Sequence, residues 1–211
     1  MSGAQHLELR AKSQALLENM RSRRSVRAFS RRRIPLEVVE DCIAIAASAP
    51  SGANMQPWTF VLVRDPEIKQ AIRRRAEAVE RDFYARRASR EWKKRLAALD
   101  TGPQKAFLEE APYLICIFAQ RHGLDSAGRR VAHYYPLESV GIATGFLIAS
   151  LHLLGISTLT YTPSPMSFLN ELLDRPSRER PFMILVVGYP DAGYVAPVLD
   201  KKEADQYLTV I

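Results

Sequence analysis

Residues 137–154 constrain the fold more than any other stretch of the chain. Nearly every position around the helical wheel is apolar, and the run stops at Gly155, where a left-handed helix cap is expected. A helix without a polar face has to be covered on every side, by the rest of the core or by a second subunit. It is not read as a membrane span, because residues 140–154 fall short of the roughly 20 apolar residues a span needs and carry His152. At 211 residues and 47% hydrophobic content, the chain can build one sizeable core around this helix. A single domain over residues 1–211 is therefore expected.

The flanking segments supply the other layers. Residues 7–20 place Leu9, Leu16, Leu17 and Met20 at helical spacing. Pro35 marks a helix start, after which Val38, Val39, Cys42, Ile43 and Ala46 share one face that ends before Pro50. Residues 58–63, 113–119, 157–162 and 182–187 read as strands, the last ending at Gly188. Asp65 and Pro66 close the first of these and open another helix through Ile68 and Ile72, and residues 168–173 predict a short helix. The tail, residues 194–211, has little to bury by itself, yet it ends in strand-like residues 207–211. That suggests pairing with a distant or neighbouring sheet. Helices and strands mix without strict βαβ alternation, so the fold class is α+β.

The formal charge of +7 is concentrated. Residues 73–95 hold eight Arg and two Lys against Glu77, Glu80, Asp82 and Glu91, and a second cluster comprises Arg21, Arg23, Arg24, Arg27, Arg31, Arg32 and Arg33. Basic runs are most often solvated helix faces. Neither cluster carries the aromatic interleaving or module signatures of nucleic-acid readers, so no nucleic-acid partner is expected. Residues 76–108 combine this charge with scattered Phe83, Tyr84, Trp92 and Phe107 and with the Gly102-Pro103 interruption. This is the profile of a mobile surface excursion rather than core. Cys42 and Cys116 lie in apolar settings without metal-ligand spacing, so neither a disulfide framework nor a zinc site is expected. No apolar block resembling a signal peptide occurs in residues 1–10. A cytoplasmic protein without a membrane partner is the expectation.

Two constellations carry chemistry. Arg23, Arg24 and Arg27 with Ser25 form a compact anion grip, since Arg presents a planar fork that matches phosphate oxygens. By itself such a run is as readily a surface turn. No G-x-G-x-x-G or Walker loop accompanies it, so Rossmann and P-loop folds lose their main support. Pro50, Ser51, Gly52 and Ala53, followed by Pro57-Trp58, form a turn that exposes backbone N–H groups and admits a flat ligand. Ser51 lacks the G-x-S-x-G context of a nucleophile. His133-Tyr134-Tyr135 reads as a structural helix entry, and His122 has no assignable role.

In order along the chain, residues 23–27, then Pro50-Ser51-Gly52-Ala53 with Pro57-Trp58, then Thr160-Tyr161-Thr162-Pro163, then Val187-Gly188-Tyr189-Pro190 resemble the nitroreductase superfamily. Within it the chain is most similar to the iodotyrosine deiodinase branch, over residues 21–211. The resemblance implies a nitroreductase-like fold, with a central, mostly antiparallel sheet flanked by helices, and an intertwined homodimer that exchanges C-terminal tails. FMN is the implied cofactor. Arg23, Arg24, Ser25, Val26 and Arg27 would bind its phosphate and ribityl region, and Pro50 and Ser51 would line the flavin from the other subunit. Thr160, Tyr161 and Thr162 would lie beside the isoalloxazine ring, with Thr162 donating a hydrogen bond to N5. Lys201 stands where the family usually has a phosphate-side Arg, keeping the charge and losing the fork.

The same resemblance implies a substrate site. The deiodinase lid supplies a Glu, a Tyr four residues later and a more distant Lys, matched here by Glu80, Tyr84 and Lys105. Spacing alone would make these solvated charges and a packing ring. The resemblance makes them a clamp, the carboxylate for an α-ammonium and the ammonium for an α-carboxylate. The backbone N–H of Ala53 would stabilise the substrate phenolate. The implied activity is reductive dehalogenation of a halogenated tyrosine by reduced flavin, with NAD(P)H or a separate reductase as electron donor. The alternative is a general NAD(P)H nitroreductase or quinone reductase acting on nitroaromatics or halophenols, which would not need Glu80, Tyr84 and Lys105. A flavin-destroying synthase of dimethylbenzimidazole is disfavoured, because relatives of that type carry Asp where Ser25 stands. Asn54-Met55 and Gly102-Pro103 depart from the family pattern, which leaves other halogenated or nitrated phenols open as substrates. The membrane anchor of vertebrate members is not found, so a soluble, bacterial-type relative is expected.

Overall fold

A computed structural model describes residues 3–89, 91 and 102–211. Its core is a four-stranded sheet in the order β1 (Trp58–Val63), β2 (Tyr113–Gln120), β6 (Glu179–Gly188), β5 (Ser157–Tyr161), and every pair is antiparallel. The central strand β2 is buried on both faces. Leu114, Cys116 and Phe118 point into one cluster, and Tyr113, Ile115 and Ile117 into the other. That explains its unbroken apolar sequence, since only a strand covered on both sides forgoes alternation.

Helices cover the two faces. On one side lie α2 (Leu36–Ala47), through Val39, Cys42 and Ala46, and α5 (Pro136–Leu153), through Val140, Ala143, Leu147 and Leu151. On the other lie α3 (Pro66–Asp82), α4 (Phe107–Glu110) and α6 (Phe168–Leu172), contributing Ile72, Ala76, Phe107, Leu108, Phe168 and Leu169. The Asp65-Pro66 boundary behaves as its chemistry dictates. Asp65 Oδ1 accepts hydrogen bonds from the N–H groups of Glu67 at 2.8 Å and Ile68 at 3.2 Å, while Pro66 occupies the first turn. At the far end of α5, Gly155 adopts φ +74 and its N–H donates to the His152 carbonyl.

The all-apolar helix meets its expectation on one side only. α5 packs its inner face against α2 and the sheet, although by length and composition it is also apolar enough to cross a membrane. Its outer face leaves Leu137, Ile142, Phe146 and Leu153 exposed in the single chain. α1 (Gly3–Ser22) behaves likewise: none of its residues is buried, and Leu7, Leu9, Leu16 and Leu17 face outward. The strand expected at residues 207–211 does not form. Only a 3₁₀ turn, Ala204–Gln206, occurs there, and Leu208, Val210 and Ile211 are exposed. A β-favouring segment becomes a strand only when it pairs with a strand edge, and residues 207–211 pair with neither edge of the four-stranded sheet.

The structure adds a small hairpin, β3 (His122–Leu124) with β4 (Arg130–Ala132). Asp125 closes its turn by accepting from the N–H groups of Ala127 and Arg129 and from Arg129 Nε. Beyond α3 the chain passes into one turn of π-helix, Phe83–Arg87. Trp92 and the middle of the expected lid, residues 90 and 92–101, lie outside the described residues.

Gly188 ends β6 at a point of close approach. A Cβ there would sit 2.8 Å from Phe29 Cδ1 and 2.9 Å from Pro112 Cδ. Gly188→Ala is expected to destabilise the fold by about 1–3 kcal/mol through overpacking, measured as a lower urea midpoint at unchanged slope.

Candidate active site

The edge strand β5 organises the site. An edge strand exposes unpaired backbone groups, and here residues 25 and 26 meet part of that edge. Ser25 bridges Thr158 in parallel, and the Val26 N–H donates to the Thr158 carbonyl at 3.2 Å. A second bridge, between Phe29 and Pro190, fixes the following turn. The arginine run is thereby laid beside β5. Val26 turns inward, its side chain in the core, so its own part in anion binding is reduced to spacing the residues around it. The Ser25 carbonyl accepts the Tyr194 hydroxyl at 3.2 Å, which ties the start of the tail to the same run.

Arg23 and Arg24 open onto a hollow whose opposite wall is the tail. Arg21, Lys201 and Lys202 complete its cationic lining against Asp200 and Glu203. Residues 23, 24 and 201, far apart in sequence, thus converge on one cationic hollow. Arg27 projects elsewhere, into a cavity of about 270 Å³ that it shares with Thr160, Tyr161 and Thr162. Thr160 and Thr162 are exposed on that cavity's wall. The donor set therefore fits a phosphorylated, flat cofactor, with a cationic pocket at one end of β5 and hydroxyls at the other.

The lid residues come to the same cavity. Glu80 on α3, Tyr84 in the π turn and Lys105 before α4 all line it. Lys105 Nζ lies 3.5 Å from Glu80 Oε2, with side-chain exposures of 7% and 14%. Two opposite charges buried together, beside an open cavity, have the form of a receptor for a zwitterion. Burial holds the Lys105 ammonium below its ordinary lysine value, an effect that Glu80 opposes and Arg27 reinforces.

Two residues support this pair that the sequence did not single out for it. Glu77, one turn before Glu80, accepts from the Lys105 backbone N–H at 2.8 Å and from Arg73 Nε at 2.7 Å. Burial raises the Glu77 carboxyl, but these hydrogen bonds with the Arg73 and Arg81 charges outweigh it and leave it below its ordinary value. Tyr161 was expected beside the cofactor ring. Its hydroxyl donates to Glu80 Oε1 at 3.3 Å, and burial followed by the Glu80 charge pushes its pKa upward. Strand alternation held part of the signal for this, since Tyr161 is buried at the end of β5 while Thr160 before it and Thr162 after it are exposed. Glu77 had no such signal among the charges of α3.

Pro50, Ser51 and Ala53 are not brought to this cavity by the single chain. Their loop is nevertheless built tightly. Ser51 Oγ accepts from the Gln56 N–H at 3.0 Å, and a Cβ on Gly52 would meet the Tyr134 carbonyl at 2.8 Å. Ala53, Asn54 and Gln56 all have left-handed backbones, with φ of 49, 56 and 48. Such strain at non-glycine positions clusters at ligand sites.

Comparison with known proteins places these features in a family. Residues 20–189 match the model of the nitroreductase family. An iodotyrosine deiodinase from Haliscomenobacter hydrossis is 47% identical over 96% of this chain and 91% of its own length. The human iodotyrosine deiodinase 1 is 41% identical over 97% of this chain and 71% of its own. A crystal structure of oxidized iodotyrosine deiodinase bound to FMN and 3-iodo-L-tyrosine superposes with a TM-score of 0.79 at 33% identity, covering 92% of this chain and all of that one. The chain belongs to the nitroreductase family, within the iodotyrosine deiodinase branch.

Proposed function

We propose that this protein is an FMN-dependent reductase that removes halogen from halogenated tyrosines. The observation that carries this reading is the Glu80–Lys105 pair, largely withdrawn from solvent, lining one cavity with Thr160 and Thr162. A general nitroreductase has no use for two buried opposite charges at its substrate wall, and burying them is costly unless they are matched.

Arg23, Arg24 and Lys201 would hold the FMN phosphate, and Arg27 with Thr160 and Thr162 the region nearer the ring, with Thr162 offering its hydroxyl to N5. Reduced FMN, when bound, supplies the electrons that expel halide. The chain's own contribution is to bind, orient and exclude water. Glu80 and Lys105 would take the α-ammonium and α-carboxylate, which places the halophenol ring toward Thr162. Tyr84, from the π turn, would close over the ligand. The lid stem is already docked, since Arg87 Nη2 donates to the Ser164 carbonyl at 2.6 Å. The Ala53 N–H, which has no acceptor among the described residues, would stabilise the phenolate.

We infer further that Ala53 reaches the site from a second copy in a homodimer. The outer face of α5, the leucines of α1 and the exposed apolar tail residues form the surface such a dimer would cover. Electrons would come from NAD(P)H or a separate reductase, and the free thiols of Cys42 and Cys116 suit a cytoplasmic setting.

Anaerobic addition of 3-iodotyrosine to the chemically reduced, FMN-loaded protein is expected to release iodide in step with flavin reoxidation. Rapid nitroarene reduction without iodide release would instead identify a general nitroreductase. In flavin-fluorescence titrations, Glu80→Gln or Lys105→Ala should lower the preference for 3-iodotyrosine over 2-iodophenol by roughly 10- to 100-fold, the worth of a charge-assisted hydrogen bond. An unchanged preference would exclude the clamp.

A further inference from the structure

The two oxygens of Glu80 have different partners. Oε2 faces Lys105 Nζ at 3.5 Å, and Oε1 accepts the Tyr161 hydroxyl at 3.3 Å. Tyr161 also touches the other charge, because Lys105 Nζ lies 5.4 Å from the centre of its ring. The ring is fixed edge-on against Phe107 at 5.5 Å, and the residue is only 8% exposed. One rigid side chain therefore contacts both members of the buried pair. Meanwhile Glu77 holds Lys105 by its backbone N–H, so the lysine main chain stays in place whatever its ammonium does.

From this arrangement we propose that Tyr161 is a specificity-determining residue, holding Glu80 in place while the Glu80–Lys105 pair opens and exchanges partners with a zwitterionic ligand. The proposal rests on the halotyrosine reading above. Paired with each other, the two side chains neutralise each other's charge and present the same two charges as an amino acid's backbone. An incoming zwitterion supplies a carboxylate to Lys105 and an ammonium to Glu80, so both buried charges remain matched and the exchange is close to neutral. Left untethered, Glu80 would swing after the departing Lys105. The Tyr161 hydroxyl fixes Oε1 and so leaves Oε2 where the ligand ammonium needs it. The Tyr161 ring face keeps the displaced ammonium in a favourable field.

A ligand with one charge fares differently. It must break the pair and strand one buried partner, so neither charge alone brings a share of the gain. A neutral halophenol leaves the pair intact. Specificity for the whole amino acid thus follows from exchange, beyond what two independent contacts would give.

The test uses the FMN-loaded protein, flavin-fluorescence titration and four ligands: 3-iodotyrosine, 3-iodotyramine, 3-(4-hydroxy-3-iodophenyl)propionate and 2-iodophenol. In the wild type only 3-iodotyrosine should bind much more tightly than 2-iodophenol, with both single-charge ligands within about threefold of it or weaker. Tyr161→Phe keeps the ring and its Phe107 contact and loses only the hydroxyl, and it should cut the iodotyrosine-to-iodophenol preference by about tenfold. A wild type without that preference would overturn the halotyrosine reading and this inference with it. A wild type with the preference, and a Tyr161→Phe protein that retains it, would overturn the inference alone. So would either single-charge ligand binding as tightly as 3-iodotyrosine, a result that needs no variant at all.

Discussion

The pairing of Thr158 with the Ser25–Val26 backbone is the contact from which the rest of the site follows. β5 closes one side of the sheet, and its outer edge would otherwise leave backbone groups without partners. Laying the arginine run against that edge satisfies part of it and fixes where three guanidinium groups emerge. Thr160 and Tyr161 end the same strand and Thr162 follows it, the two threonines exposed and the tyrosine buried. A single five-residue strand thereby sets the spacing between an arginine cluster, a pair of hydroxyls and a phenol that reaches Glu80.

The second organising element is the α3 face that carries Arg73, Glu77, Glu80 and, in the π turn, Tyr84. Glu77 binds backbone and Glu80 binds side chain of the same residue, Lys105, so a segment 28 residues further on is attached to α3 twice. Fixing that segment before a ligand arrives reduces the ordering cost of binding, which is how a lid can be selective without being weak. The π turn widens the helix at the point where Tyr84 has to reach over the cavity, and irregularities of this kind gather at functional sites.

Much of this was legible in the sequence, for identifiable reasons. Strands β1, β2, β5 and β6 announced themselves because each is buried or bounded by Gly and Pro, and α5 because its apolar run ends at a glycine that must be left-handed. The hairpin of β3 and β4 was not read, since three-residue strands rich in polar groups have no periodicity to detect; Asp125 and Gly128 were the only cue. Residues 207–211 were read as a strand from their own preferences, but strand formation is decided by a partner edge, which residue preferences cannot supply. The family resemblance set Tyr161 beside the cofactor ring with its threonine neighbours, and its hydrogen bond to Glu80 was not legible, because that partner lies 81 residues away. The family resemblance, rather than spacing, carried Glu80, Tyr84 and Lys105, because an acidic and a basic residue on charged segments are ordinary until burial makes them otherwise.

On the proposed function, β5 joins a flavin grip and a zwitterion clamp in one site, which a crystal structure of the protein with FMN and 3-iodotyrosine bound would test most directly. The FMN phosphate is expected at Arg23, Arg24 and Lys201, the ligand ammonium on Glu80 Oε2 in place of Lys105, its carboxylate on Lys105 Nζ, and the Tyr161 hydroxyl still on Glu80 Oε1. A ligand whose amino-acid end points away from α3, with the Glu80–Lys105 pair intact, would contradict that proposal.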